Sequence, residues 1–360
     1  MRMLAGVGTI FFIVFLIIAG LSTTQHTAER PQAYRVGVLL IGDAAMSSWN
    51  AAHMQGLLKV ADELGLVLQY KENVAPDACR DAADMLIADG CNIIVSTSIS
   101  FEEGIVQAAE AHHDVMFLQA TGTKVRPNLV PYMGRMYQAR YLAGLVAGRT
   151  TKTGAIGYVA ATQIPEVIRG IDAFTLGVRR ANPEARVYVR YIGLWSKDDE
   201  ARRATEQLLS RVPAIDILAM HADTYGPLDV ARAHGIHAIG CNIAAPGYQD
   251  ILLTATIWHW EALYGKYLRE AMKGRLSGRS YLAGIETGIV GLAPLAPDVT
   301  PETSRAVRQM TELLEDGEMD VFYGPIRDAG GRLRIAEGEN PSDDELFDRL
   351  DWHVEGVELR

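Results

Sequence analysis

Between Tyr34 and Ile239 the chain alternates short β-branched apolar runs with amphipathic helical stretches, and it does so in two series. In the first, Val36–Ile41, Leu66–Tyr70, Asn92–Ser96 and Val115–Gln119 read as strands. Helices are expected from about Ala51, over Asp77–Ala88 and over Glu102–His112. Strands separated by helices of this length require right-handed crossovers and a parallel sheet. Near Asn128–Arg135 the chain passes through PNLVPYMGR, with two prolines and no helical period, which reads as a crossing between lobes. A second series follows, with helices over Tyr137–Thr150, Glu166–Ala181, Asp198–Arg211 and Leu228–His234. Its strands are Ala155–Ala160, Val187–Ile192, Ile215–Ala219 and His237–Ile239. A single barrel needs eight uninterrupted units, so the break predicts an α/β chain of two doubly wound lobes.

Beyond Ile251–Ile257 comes an aromatic-rich helix, Trp258–Met272, and a glycine-interrupted stretch, Leu282–Leu292, that reads as another crossing. The first lobe is therefore expected to be Tyr34–Tyr132 plus Thr256–Gly288. The second is Met133–Ala255 plus Ile289–Arg360, with the turn Asp328–Arg332 between two short strands. At 360 residues there is enough chain for two cores.

Residues Leu4–Leu21 are uncharged and apolar, sufficient for an export signal or one membrane span. Either way residues 1–22 direct the remainder out of the cytoplasm, and the weakly charged flank favours an anchor, with residues 23–33 as a tether. A net charge of −10 and the lack of a basic stripe exclude a nucleic-acid partner. The three cysteines, Cys79, Cys91 and Cys241, are too few for a disulfide framework or a zinc site and read as buried small side chains.

In an open parallel sheet, ligands bind beyond the carboxyl ends of the strands. Trp49 stands there, after the first strand and just ahead of a helix, and Trp195 holds the same position after Val187–Ile192 in the second series. One such indole reads equally well as a packing residue. Two on opposed lobes suit a closing cleft around a flat aromatic ligand, since an aromatic face offers area with little freedom to lose. The hydroxyl-rich turn Ser96–Ser100 adds Ser98, and Phe101 opens the next helix at the same crevice. His53, one turn after Trp49, could orient it or reach the cleft, and Glu166 starts a helix where a carboxylate suits the dipole.

No glycine-rich phosphate loop and no nucleophile elbow occur. His112/His113 and His234/His237 are poor metal sites, and no carboxylate pair or nucleophile–base set stands out. A binder that needs no cofactor or metal is expected rather than an enzyme.

Six segments resemble the basic membrane protein family of type I periplasmic binding proteins, substrate-binding parts of ABC importers for purine nucleosides and related purines. They are Tyr141–Gly148 (YLAGLVAG), Ile164–Gly177, Trp195, His221–Thr224 (HADT), Phe322–Ile326 (FYGPI) and Asp351–Val357 (DWHVEGV). They are most similar to the branch that binds a free base such as adenine. The resemblance implies two α/β lobes joined by three crossings, a hinge, and an ABC permease as partner. The family's nucleoside binders carry D-K-S-F-N where this chain has Met46-Ser47-Ser48-Trp49-Asn50. Trp49 thus matches the stacking Phe, Asn50 the family Asn, and Trp195 the second stacking Phe.

The resemblance also brings His221, Asn242 and Trp258 to the expected ligand wall. The family Asp is replaced by Met46, a second is missing from Cys241–Ala245, and Trp258 stands near the ribose-side Lys. These departures point to a purine base, or another flat heterocycle, over a nucleoside. A membrane-anchored sensor built on the same fold is the alternative.

Overall fold

The computed structural model describes residues 34–276 and 279–360. The run Leu4–Leu21 and the tether lie outside the described residues, among which no helix is long and apolar enough to cross a membrane.

The chain begins as expected, with β1 (Arg35–Leu39), α1 (Ser48–Leu64), β2 (Val67–Lys71), α2 (Cys79–Ala88), β3 (Ile93–Ser96), α3 (Glu102–Ala111), β4 (Met116–Ala120) and β5 (Leu129–Gly134). The second series is α4 (Met136–Thr150), β6 (Ala155–Ala160), α5 (Pro165–Ala181), β7 (Arg186–Tyr191), α6 (Asp198–Arg211), β8 (Ile217–His221), α7 (Gly226–Ala233), β9 (His237–Asn242) and β10 (Leu252–Trp258). The chain then returns with α8 (Trp260–Met272) and β11 (Tyr281–Ala283) before β12 (Val290–Leu292). It ends with α9 (Pro301–Glu315), β13 (Ile326–Arg327), β14 (Leu333–Ile335), α10 (Asp343–Asp348) and β15 (Val357–Leu359).

One sheet has the order β11-β5-β4-β3-β1-β2, and the other β12-β10-β9-β8-β6-β7-β15. Within these two sheets every pairing is parallel except β10 with β12, and β13 and β14 form a separate antiparallel pair. The cores of the two sheets repeat one winding: β5-β4-β3-β1-β2 in the first and β10-β9-β8-β6-β7 in the second. Each therefore has one switch point, between β1 and β3 and between β6 and β8, where a crevice opens at the strand ends.

Two boundaries differ from expectation. The segment Asn128–Arg135 is not a bare crossing, because Leu129–Gly134 forms β5, paired with β4 and β11. Pro131 is tolerated because the Tyr132 carbonyl accepts from Thr121 N, so Tyr132 faces β4 and Pro131 faces the other side. On that side β11 pairs only from Tyr132 onward. Likewise residues 256–258, expected in the first lobe, complete β10 in the second sheet. The chain passes between sheets after Gly134, after Trp258 and between β11 and β12.

The second lobe is set by contact between α4 and α5. A Cβ on Gly144 would lie 2.0 Å from the Phe174 carbonyl oxygen, and one on Gly177 2.0 Å from that of Tyr141. Only glycine allows these backbones so close, and the approach carries the starts of α4 and α5 to the same wall of the crevice.

Candidate functional site

The two switch points face one another across a cavity of about 740 Å³, within the usual range for small-molecule sites. Its lining comes from the turns after β1 and β3, the starts of α4 and α5, and the turns after β7, β8 and β9.

Trp49 enters from the first lobe. The Ser47 hydroxyl caps α1 by accepting from Asn50 N at 3.2 Å, which turns residue 49 toward the strand ends. The indole Nε1 donates to the Thr97 carbonyl at 2.7 Å. The ring stands edge-on to His53, Trp258 and Trp260, with centroids 4.6, 5.7 and 5.7 Å away. Asn50 also lines the cavity, fully buried, and among the described residues neither amide atom has a protein partner. Ser98 lines it as well, its Oγ accepting from Ser100 N.

One sequence expectation is corrected here, and one pair of alternatives is narrowed. Phe101 is fully buried beneath the sheet among Leu39, Cys79, Ile94 and Phe117 and does not reach the cavity. The 3₁₀ turn Ile99–Phe101 rotates Phe101 inward, and Ile99, 48% exposed, lines the cavity instead. His53 does not reach the cavity either. It is buried, stacks on Trp260 at 4.3 Å, and shares a 2.6 Å hydrogen bond with the Tyr264 hydroxyl. Burial holds its pKa well below the usual value, so the ring is neutral. Its role is to support Trp49 from behind.

The second lobe supplies Trp195 and a set of charged groups. Trp195 is half-buried, with His221 edge-on at 5.7 Å. Its carbonyl accepts from Asp223 N at 2.8 Å, tying the β7–α6 turn to the β8–α7 turn. His221 is buried with Nδ1 unpartnered among the described residues, and burial first, then Arg140 and Arg169, keep it neutral. Arg140 and Arg169 are themselves buried, on α4 and α5. Arg140 donates to the Tyr158 hydroxyl at 3.1 Å, and Arg169 donates to the Leu346 carbonyl at 2.7 Å and lies 3.7 Å over the Phe347 ring. Space for this pair exists because residue 170 is glycine; a Cβ there would meet Arg140 Cδ at 2.8 Å.

Glu166 faces both guanidiniums. Burial raises its carboxyl while Arg169 and Arg140 oppose the rise. Burial likewise pushes Asp223 up to about 7, with the Glu166 charge adding and Asn242 and Arg140 opposing.

Asn242, at the end of β9 with φ of +68°, joins the lobes. Its Nδ2 donates to Ser48 Oγ and to Asp223 Oδ1, both at 3.0 Å, and its Oδ1 accepts from Trp258 Nε1 at 3.1 Å. Trp258 stacks flat on Trp260 at 4.4 Å.

Thus Trp49, Asn50, Ser98, Glu166, Trp195, His221, Asn242 and Trp258 all line the same cavity, and Phe101 does not. Sequence reasoning missed Arg140, Arg169 and Asp223. Cys241–Ala245 holds no carboxylate, but Asp223 at the neighbouring strand end lines the cavity, a position the same strand-end rule would have found. The histidine groupings are dispersed: His112 pairs with Asp84 at 2.9 Å, His234 with Glu206 at 2.9 Å and His237 with Asp298 at 3.6 Å. Among the described residues no cluster could hold a metal ion.

The Bmp family, described as ABC transporter substrate-binding protein PnrA-like, matches residues 33–314. A Haloferax volcanii protein bearing the name of an ABC transporter glucose-binding protein is 34% identical over 334 residues, 92% of this chain and 81% of its own. A purine-binding protein of Brucella abortus is 29% identical over 353 residues, 96% of this chain and 99% of its own. Among solved structures, an ABC transporter solute-binding protein from Conexibacter woesei aligns with a TM-score of 0.70 at 22% identity. It covers 80% of this chain and 98% of that one, a likeness of fold alone. Proteins of this kind work outside the cytoplasm, hold a small molecule for a permease and are not enzymes. On the match across residues 33–314, the chain belongs to the Bmp family of ABC transporter substrate-binding proteins.

Proposed function

We propose that the chain captures a purine-like base by stacking it between Trp49 and Trp195 and delivers it to its ABC permease. The observation that carries this reading is that two tryptophans, one from each lobe, line a single cavity. Each offset-stacked ring contributes roughly 0.5–1.5 kcal/mol beyond its burial, and a ligand gripped by both lobes favours their closed arrangement. The name of the Brucella abortus relative supports it. Asn50, Ser98, Glu166 and His221 are the polar groups proposed to meet the ligand's edge, and Leu4–Leu21 is proposed to tether the protein to the membrane.

A hexose is the second reading, favoured by the name of the Haloferax volcanii relative and by the Asp223, Glu166 and Arg140 side chains around the cavity. A thermal-shift panel of purine bases, nucleosides and sugars separates the two. A true ligand at about 100 times its Kd stabilises the protein by about 2.7 kcal/mol. Stabilisation by glucose with none by any base would overturn the purine reading.

A further inference from the structure

We propose that Asp223 selects the ligand's hydrogen-bonding edge, accepting an N–H or O–H from it through Oδ2, and that Asn242 positions this carboxylate without touching the ligand. The proposal rests on the cavity being the ligand site of the preceding section.

Asp223 lines the cavity with its two oxygens in different situations. Oδ1 accepts from Asn242 Nδ2 at 3.0 Å, whereas among the described residues Oδ2 takes no hydrogen bond and no cation pairs with the group. Asp223 is half-buried, and a ligand that closes over it withdraws the carboxylate from water. That is costly unless each oxygen finds a donor, so a ligand that brings one gains where a ligand lacking one does not. Asn242 is held within the protein's own hydrogen bonds. Both Nδ2 hydrogens are committed, to Ser48 and to Asp223, and Oδ1 already accepts from Trp258. Arg140 is engaged by Tyr158, Met220 and Cys241.

The groups facing Asp223 are Glu166 on α5, Arg140 on α4, Cys241 on β9, and His221 and Tyr225 on its own strand and turn. Ser48 on α1 does not titrate. Arg140 stays charged, the Cys241 thiol and Tyr225 phenol are pushed up by burial, and His221 stays neutral. Burial raises the Glu166 carboxyl as well, while Asp223 is pushed up to about 7 and so changes charge near neutrality. A donor on the ligand needs the ionised form of Asp223, so binding weakens as pH falls through the Asp223 pKa.

The test is calorimetric titration with adenine, adenosine and D-glucose as probes, from about pH 5.5 to 8.5. It compares the wild-type protein with Asp223→Asn and Asn242→Gly, the latter compatible with the positive φ. For whichever probe binds wild type most tightly, Asp223→Asn is expected to cost about tenfold at the alkaline end, about 1.4 kcal/mol, and to flatten the pH profile. Asn242→Gly removes a bond that favours the ionised carboxylate, so the midpoint of the profile moves to higher pH, which a merely structural role would not produce. A loss below about fivefold in Asp223→Asn, or wild-type binding that tightens on acidification, overturns the Asp223 assignment. An unmoved midpoint in Asn242→Gly overturns the positioning role. Glucose binding more tightly than adenine would fail the purine reading alone, since the same comparison then decides Asp223 on glucose.

Discussion

Gly144 and Gly177 let the backbones of α4 and α5 touch: each would place a Cβ 2.0 Å from a carbonyl oxygen of the opposite helix. A backbone oxygen cannot swing aside as a side chain can, so the helices must part. Gly144→Ala and Gly177→Ala are each expected to destabilise by about 3 kcal/mol or more, the upper end for overpacking. The pair should cost less than the sum, since one separation relieves both clashes. Because α4 and α5 carry Arg140 and Arg169, ligand affinity should fall as well. Urea melts and titration of each variant check this, and an unchanged unfolding midpoint would refute it.

Phe101 and Ile99 give a sharper contrast. Phe101→Ala empties a fully buried site and is expected to cost about 3–5 kcal/mol of stability. In variant that remains folded it should leave affinity unchanged. Ile99→Ala should do the reverse, leaving stability within about 0.5 kcal/mol while weakening the ligand. Equal affinity loss in both would return Phe101 to the cavity wall.

These cases show what the sequence made legible. Alternating strands and helices sufficed for two parallel, doubly wound sheets, because each strand type is written in its own apolar run. Trp49 and Trp195 could be found because a strand end is readable from pattern alone. Phe101 could not, since a single 3₁₀ turn decides whether residue 99 or 101 points inward, and no periodicity records it. Arg140 and Arg169 were invisible for another reason. Each sits among the buried residues of its helix, and the glycine contact between those helices brings both guanidiniums to one wall. Pro131 misled because its missing N–H matters only if a neighbour pairs there, which is a fact of the sheet and not of the strand.

Asp172 links the two ends of the second lobe. It lies on α5, accepts from His353 Nδ1 at 2.9 Å, and His353 Nε2 shares a 3.0 Å hydrogen bond with the Tyr191 hydroxyl. Burial pushes the Asp172 carboxyl up to about 6, against the His353 bond. A carboxyl that binds its proton more tightly in the folded state than in the unfolded chain stabilises the fold where it is protonated. That contribution is complete below the unfolded value near 4 and is lost as pH rises through about 6. Relative to Asp172→Asn, the wild type should therefore lose stability between about pH 4 and 7, by up to about 3 kcal/mol. Guanidinium melts across that range measure the difference, and a difference that stays constant would rule out the linkage.

The two tryptophans should respond differently to truncation. Trp49 bonds Thr97 and packs edge-on against three aromatic rings, so Trp49→Ala is expected to lose both stability and ligand. Trp195 makes one aromatic contact, with His221, and is half-buried. Trp195→Ala should weaken the ligand about tenfold with a much smaller change in unfolding midpoint. Titration beside thermal melts separates the two effects. Tight ligand binding by Trp195→Ala would remove that ring from the proposed sandwich.

Trp258 decides what the cavity does with a ribose. From the sequence alone, a lysine at this position would be expected to restore a partner for a sugar hydroxyl. The structure argues otherwise, because the indole is buried, stacked on Trp260 and bonded to Asn242. Gly134 is shaped around it, since a Cβ there would meet Trp258 Cζ3 at 2.4 Å. Trp258→Lys would leave a hole and an unpaired ammonium, so its expected outcome is loss of stability by about 3–5 kcal/mol and not a change of preference. The preference itself follows from the same bonds. Trp258 Nε1 is spent on Asn242 and the Asn242 amide hydrogens on Ser48 and Asp223, so neither side chain has a donor left for a ribose hydroxyl. Each hydroxyl left buried and unpaired costs about 1–3 kcal/mol. Adenine is therefore expected to bind at least about tenfold more tightly than adenosine. Calorimetry in which adenosine is the tighter ligand of the wild type would overturn this account of the cavity.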